Sequence, residues 1–308
     1  MKKFTWGLAL FVITVNLSAH HPDFSGVWQT TYGTLTLVQN GNEVKGWYNL
    51  SGISTIQGTI DDQGKLNFTY QEPFASGEGW FELSDDQMTF QGQWHEQNSI
   101  QWYSWEGIRS EQRSDLKWLV ILESEWQQSL SESEYSFGEM LDAFLSRIAS
   151  LNIRHRFIHN DQDLFKYCLE ASSLPGEIYL IIATHGDKDG LIAGDGLINA
   201  QQIVRAIEPI GNLHLIHFSS CNIMGGSIPD EILNSRSEWP GEFIVSGYTK
   251  DIDWGGSAVI EFFYLDMIFD KNLTPQQAAQ AVLDDIRFAG TNSTEWMDNC
   301  GFKYFKPH

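Results

Sequence analysis

Two side chains in this 308-residue chain stand where nucleophilic chemistry would need them. Cys221 closes the run LHLIHFSSC, and His185 stands at the end of the run IYLIIATHG, where a long apolar stretch stops abruptly. A cysteine thiolate is a strong nucleophile, and a nearby imidazole can take up its proton and later deliver one to a departing amine. The two lie 36 residues apart, a separation that fits one crossover between neighbouring parallel strands. Taken alone, a cysteine is more often a small buried hydrophobe and a strand-end histidine a partner for backbone. Taken together, the two strand-end placements point to a catalytic pair. The other histidines give weaker signals: His155 and His159 flank RFI, His214 and His217 lie along the strand leading to Cys221, and none recurs with Cys or Glu at zinc spacing.

The elements that must position this pair are legible from 116 onward. LKWLVILES, RHRFIHN, IYLIIATHG, LHLIHFSSC and EFIVSGY are mostly rich in Ile, Leu and Val without alternation, the pattern of parallel strands buried on both faces. FGEMLDAFLSRIASL sets Met140, Leu141, Phe144, Leu145 and Ile148 on one helical face, DQDLFKYCLEAS reads as a second helix with Asp161 as its N-cap, and AQQIVRAI as a third. Alternating strands and helices predict an α/β sandwich with a mostly parallel central sheet. Right-handed crossovers bring the C-terminal strand ends to one edge, and open α/β sheets bind their ligands there.

Residues 22–110 follow a different period. Leu66, Phe68 and Tyr70 alternate with Lys65, Asn67 and Thr69, and Met88, Phe90 and Trp94 repeat the spacing. Turns such as QNGNE and DDQGK separate about eight short strands, which predicts a small antiparallel barrel closed on itself. Trp28, Trp47, Trp80, Trp94, Trp102 and Trp105 either fill that barrel or line a ligand cavity. The segment resembles lipocalin-like up-and-down barrels in pattern, so a small ligand or a protein bound by the barrel is expected. The charged linker RSEQRSD and the change of period suggest separate cores for the two halves.

The N-terminus MKKFTWGLALFVITVNLSA has the layout of a secretory signal peptide, residues 1–19. Its apolar segment is short for a membrane span. The expected mature protein is secreted or periplasmic, with no stable membrane insertion. With 19 basic and 40 acidic residues, net charge −21, the chain lacks the clustered cations that nucleic acid requires. His20 and His21 would begin the mature chain and read as flexible end residues. Cys168 reads as core within its helix, and the sequence leaves Cys300 either free or paired with it. No metal or cofactor is called for.

The order IYLIIATHG, GDGLINAQQIV, LHLIHFSSCNIMGG resembles the caspase-like cysteine peptidases, most closely the CHAT branch related to caspases and separase. SGYTKDIDWGGSAVIEFFYLDMI, NLTPQQAAQAVLDDIR and EWMDNCGFKYF extend the likeness as a late strand, two helices and a final strand, over 116–306. The resemblance implies a cysteine endopeptidase with His185 and Cys221 as its dyad and a protein or peptide as substrate. The backbone N–H groups of Gly186 and Cys221 would form the oxyanion hole. It also implies that Asp251, Asp253 and Ser246 contribute to the pocket for the residue before the scissile bond, where the carboxylates would favour a basic side chain. Because the family includes non-catalytic members, a binding or scaffolding protein with an inert α/β half is the alternative.

Overall fold

Alternation of large apolar and polar side chains forces one face of each N-terminal strand inward, and strands with two faces of opposite character hide their edges best by closing a cylinder. In the computed structural model, which describes residues 22–111, 113, 115–127, 129–194, 196–237, 243–286 and 300–307, this is what forms. The signal segment and His20–His21 lie outside the described residues. Strands β1 (Gly26–Thr30), β2 (Gly33–Asn40), β3 (Glu43–Asn49), β4 (Ile53–Ile60), β5 (Leu66–Gln71), β6 (Ser76–Leu83), β7 (Thr89–Glu96) and β8 (Tyr103–Arg109) follow one another round a closed barrel. Each pairs antiparallel with the next, and β8 returns to β1 with Gln29 opposite Ile108.

The barrel is filled by rings. Trp28, Phe68, Phe81, Phe90 and Trp105 are buried inside it, Phe81 and Trp105 packing edge to face at 5.3 Å. Gly107 makes room for one of them, since a Cβ there would stand 2.3 Å from the Phe90 ring. Arg109 seals one end, its guanidinium 4.3 Å over the Trp28 ring and its Nε donating to the Gln87 carbonyl at 2.9 Å. Three of the other four tryptophans divide by position: Trp94 is partly buried against this core, Trp80 lies under the Lys65 ammonium, and Trp102 is exposed.

The second half is built on a sheet whose apolar runs have two buried faces. Its elements are β9 (Lys117–Glu123), α1 (Phe137–Leu145), β10 (Leu151–Phe157), α2 (Asp161–Ser172), β11 (Glu177–Ala183), the hairpin strands β12 (His185–Asp187), β13 (Gly190–Ala193) and β14 (Gly196–Asn199), α3 (Ala200–Ile207), β15 (Leu213–Ser219), α4 (Ile228–Ser235), β16 (Ile244–Tyr248), α5 (Trp254–Phe269), α6 (Pro275–Asp285) and β17 (Phe302–Phe305). The 6-stranded sheet runs β10-β9-β11-β15-β16-β17, parallel except for the antiparallel edge strand β17. Successive residues of β9 serve opposite cores. Leu119 and Ile121 join Phe137 and Leu141 of α1 and Ile260 and Leu265 of α5, while Val120 and Leu122 join Leu164 of α2 and Ile203 of α3. This is the α/β sandwich with a mostly parallel sheet that the sequence predicts.

One detail differs from the sequence reading. The N-cap of α2 is Asn160, extended at φ −158° and accepting from the Asp163 N–H, and Asp161 is the first helical residue. The halves keep separate cores, but the outer face of the barrel touches the α/β half. Trp47 points out of the barrel into the α2/α3 side of the α/β core and is 5% exposed, Thr36 Oγ1 lies 3.0 Å from Ser172 Oγ, and Lys45 pairs with Glu208. Cys168 and Cys300 belong to cores on opposite faces of the sheet, so no disulfide joins them. Among the described residues no helix is long and apolar enough to cross a membrane.

Candidate active site

Strands β11 and β15 run side by side, with Ala183 paired to Ser219. The next residue on each strand makes a buried clasp. The Thr184 N–H donates to Ser220 Oγ at 3.3 Å, and the Ser220 hydroxyl donates to the Ile182 carbonyl at 3.4 Å. Thr184 and Ser220 are 1% and 2% exposed, and His185 and Cys221 follow directly above them, His185 exposed and Cys221 partly so. Register therefore brings the imidazole and the thiol to the same edge of two adjacent strand ends.

Beyond the clasp the strands diverge into different turns. His185 opens β12, which folds back on β13, with Asp187 Oδ1 accepting from the Asp189 N–H at 2.7 Å to close the turn. Cys221 is followed by Asn222 at φ 59°, a left-handed conformation that asparagine tolerates better than most residues. The Asn222 N–H donates to the Lys250 carbonyl at 3.1 Å. The Cys221 sulfur accepts from the Ile252 N–H at 3.4 Å. Gly186 lies against the same turn, where a Cβ would stand 3.2 Å from the Cys221 carbonyl oxygen and 3.0 Å from Ile223 Cδ1. A side chain at 186 would push the two turns apart.

The remaining candidates are spread over different levels. Asp251 and Asp253 are exposed in the segment after β16. The Asp251 carboxylate accepts from the Asn222 amide, and Asp253 is the N-cap of α5, accepting from the Gly256 N–H at 2.9 Å. Ser246 lies below the sheet edge, fully buried, its hydroxyl 2.9 Å from His217 Nδ1.

Three residues that the sequence reading passed over build outward from His185. Trp126 meets the His185 ring edge to face, centroids 5.0 Å apart, and Trp254 meets Trp126 at 5.3 Å. Glu123, the last residue of β9, is fully buried and accepts from Ser136 Oγ at 2.6 Å and from the N–H groups of Phe137 and Gly138 at 2.6 and 2.9 Å, with His155 Nε2 at 2.8 Å from it. Burial pushes its carboxyl up, but His155 and these donors outweigh that and hold it below the usual carboxylate range. The available signal was a single carboxylate closing an otherwise apolar strand, WLVILE. Among the described residues no group of three or more His, Cys, Asp or Glu side chains is arranged to hold a metal ion. Set beside known proteins, the chain matches no family model and no curated protein.

Proposed function

We propose that the protein is an exported cysteine endopeptidase of the caspase-like kind, related most closely to the CHAT branch, with Cys221 as nucleophile and His185 as general acid and base. The observation that carries this reading is the shared strand-end register, which sets a thiol and an imidazole directly above the Thr184–Ser220 clasp. The Cys221 thiolate attacks the peptide carbonyl carbon, and the carbonyl electron pair moves to oxygen, toward the N–H groups of Gly186 and Cys221. His185, carrying the thiol proton, gives it to the amide nitrogen as the C–N bond breaks. Water, deprotonated by His185, then hydrolyses the thioester and restores the thiol. The barrel docks substrate, ligand or partner. A cleft of about 510 Å³ beside the junction of the halves, lined by Val27, Leu37, Ser172, Asn212 and Ser235 among others, offers a place for a ligand or partner at the start of β15, the end away from Cys221.

Asp251 and Asp253 favour a basic residue before the scissile bond, a charge-assisted contact worth about 1.5–3 kcal/mol. Because Asp253 also caps α5, Asp253→Asn is the clean test: asparagine caps equally well and removes only the charge. Loss of a preference for Arg or Lys in a fluorogenic peptide panel, for Asp253→Asn or Asp251→Asn, supports the pocket, and an unchanged preference removes it.

One observation favours the alternative of a non-catalytic binding protein: the Cys221 sulfur is hydrogen-bonded to the backbone of Ile252, and among the described residues no hydrogen bond joins it to His185. Iodoacetamide labelling separates the two. Cys168 is fully buried and its thiol is pushed up to about 12, and Cys300 is buried and pushed up to about 11, both first by desolvation. The native protein should therefore take one adduct, at Cys221, more slowly in His185→Ala, and Cys221→Ala should take none and cleave no peptide. An unreactive Cys221, or a rate indifferent to His185, leaves the binding protein standing.

A further inference from the structure

Resting on the Cys221–His185 reading, we infer that Trp126 is the positioning residue of His185. Among the described residues, the His185 ring has no hydrogen-bonded orienter, and its neighbour is the Trp126 indole, at 5.0 Å between centroids and 77° between planes. The indole is itself held. Its N–H donates to the Glu123 carboxylate, which is fixed in turn by Ser136, Phe137 and Gly138 at the start of α1. On its other side Trp126 packs on Trp254 at 5.3 Å, and Trp254 is wedged by Tyr135 at 4.8 Å and Phe137 at 5.2 Å.

These contacts close a circuit around the dyad. The Cys221 sulfur is tied to Ile252, two residues before Trp254. Trp254 meets Trp126, Trp126 meets His185, and the Thr184–Ser220 clasp returns to Cys221. An exposed imidazole otherwise samples several rotamers, and proton delivery from a ring misplaced by an ångström can be slowed by about 100-fold. An aromatic ring locked by a buried carboxylate does here what a hydrogen-bonded carboxylate or carbonyl does for many catalytic histidines.

The test uses the full chain and two readouts: the rate of Cys221 alkylation by iodoacetamide, and kcat and KM on a cleaved peptide. Trp126→Ala should slow alkylation and lower kcat by about 10- to 100-fold with KM nearly unchanged. Trp126→Leu, which keeps apolar bulk without the ring and serves if the alanine variant does not fold, should do the same, and Trp126→Phe should restore most of the rate. The double variant Trp126→Ala/His185→Ala should be no slower than His185→Ala, because both changes remove one function. Unchanged rates in Trp126→Leu, or losses that multiply in the double variant, overturn the inference while the dyad stands. A His185→Ala protein as reactive as the native one removes the dyad reading itself, and the inference with it.

Discussion

Glu261 of α5 reaches beneath the sheet to His217 of β15, and both side chains are fully buried. Its Oε1 stands 3.2 Å from His217 Nε2 and accepts from the Tyr248 hydroxyl at 3.0 Å. On its other nitrogen His217 meets Ser246 Oγ at 2.9 Å, and the Ser246 hydroxyl donates to Tyr264 Oη at 3.4 Å. This polar chain ties α5 to β15, the strand that leads to Cys221. Replacing one member leaves the other buried with only a hydroxyl beside it, Ser246 for His217 and Tyr248 for Glu261, so Glu261→Leu or His217→Phe should each cost about 3–5 kcal/mol, a large share of a typical domain's 5–15 kcal/mol. Replacing both with apolar groups of similar size removes the stranded partner. The double variant Glu261→Leu/His217→Phe should then cost only about 1–3 kcal/mol, chiefly for the Tyr248 and Ser246 hydroxyls left unsatisfied. The measurement is urea unfolding followed by far-UV circular dichroism, reading the midpoint at constant m. A double variant that loses the sum of the single losses, about 6–10 kcal/mol, would show that the two groups do not stabilise each other and would refute the reasoning.

Two further outcomes follow from the same kind of contact. Glu123 has a carboxyl held below its unfolded value, so its contribution to stability is fully present above the unfolded carboxylate pKa of about 4.3 and is lost as pH falls through the depressed folded value. Glu123→Gln should therefore unfold about 3 kcal/mol more easily at pH 7, and thermal melts of variant and native protein should converge in acid. A gap that persists in acid would mean that the carboxylate charge is not the source. Trp47, buried against the α2/α3 core from the barrel side, should make the two halves unfold as one transition in calorimetry, and Trp47→Ala should cost about 3–5 kcal/mol and split it in two. Two transitions in the native protein would mean that the halves are independent despite this contact.

Periodicity determined most of this architecture. Alternation over Leu66–Tyr70 puts every second ring inside the barrel whatever the rest of the chain does, and unbroken runs such as YLIIA require cover on both faces, so the barrel, the buried strands and the helices between them are local properties of the sequence. The same runs placed His185 and Cys221 at strand ends, because an apolar strand stops where burial stops. Tertiary structure decided what lies around them. That β11 and β15 are neighbours with Ala183 opposite Ser219 is a matter of strand order. The meeting of Trp126 with Trp254 depends on chain segments more than a hundred residues apart packing at one edge, which no local pattern encodes. Trp47 makes the same point at the junction: alternation fixes that it faces away from the barrel interior, but only the docking of α2 and α3 decides that this outer face is buried, because burial depends on what else the chain brings to that surface.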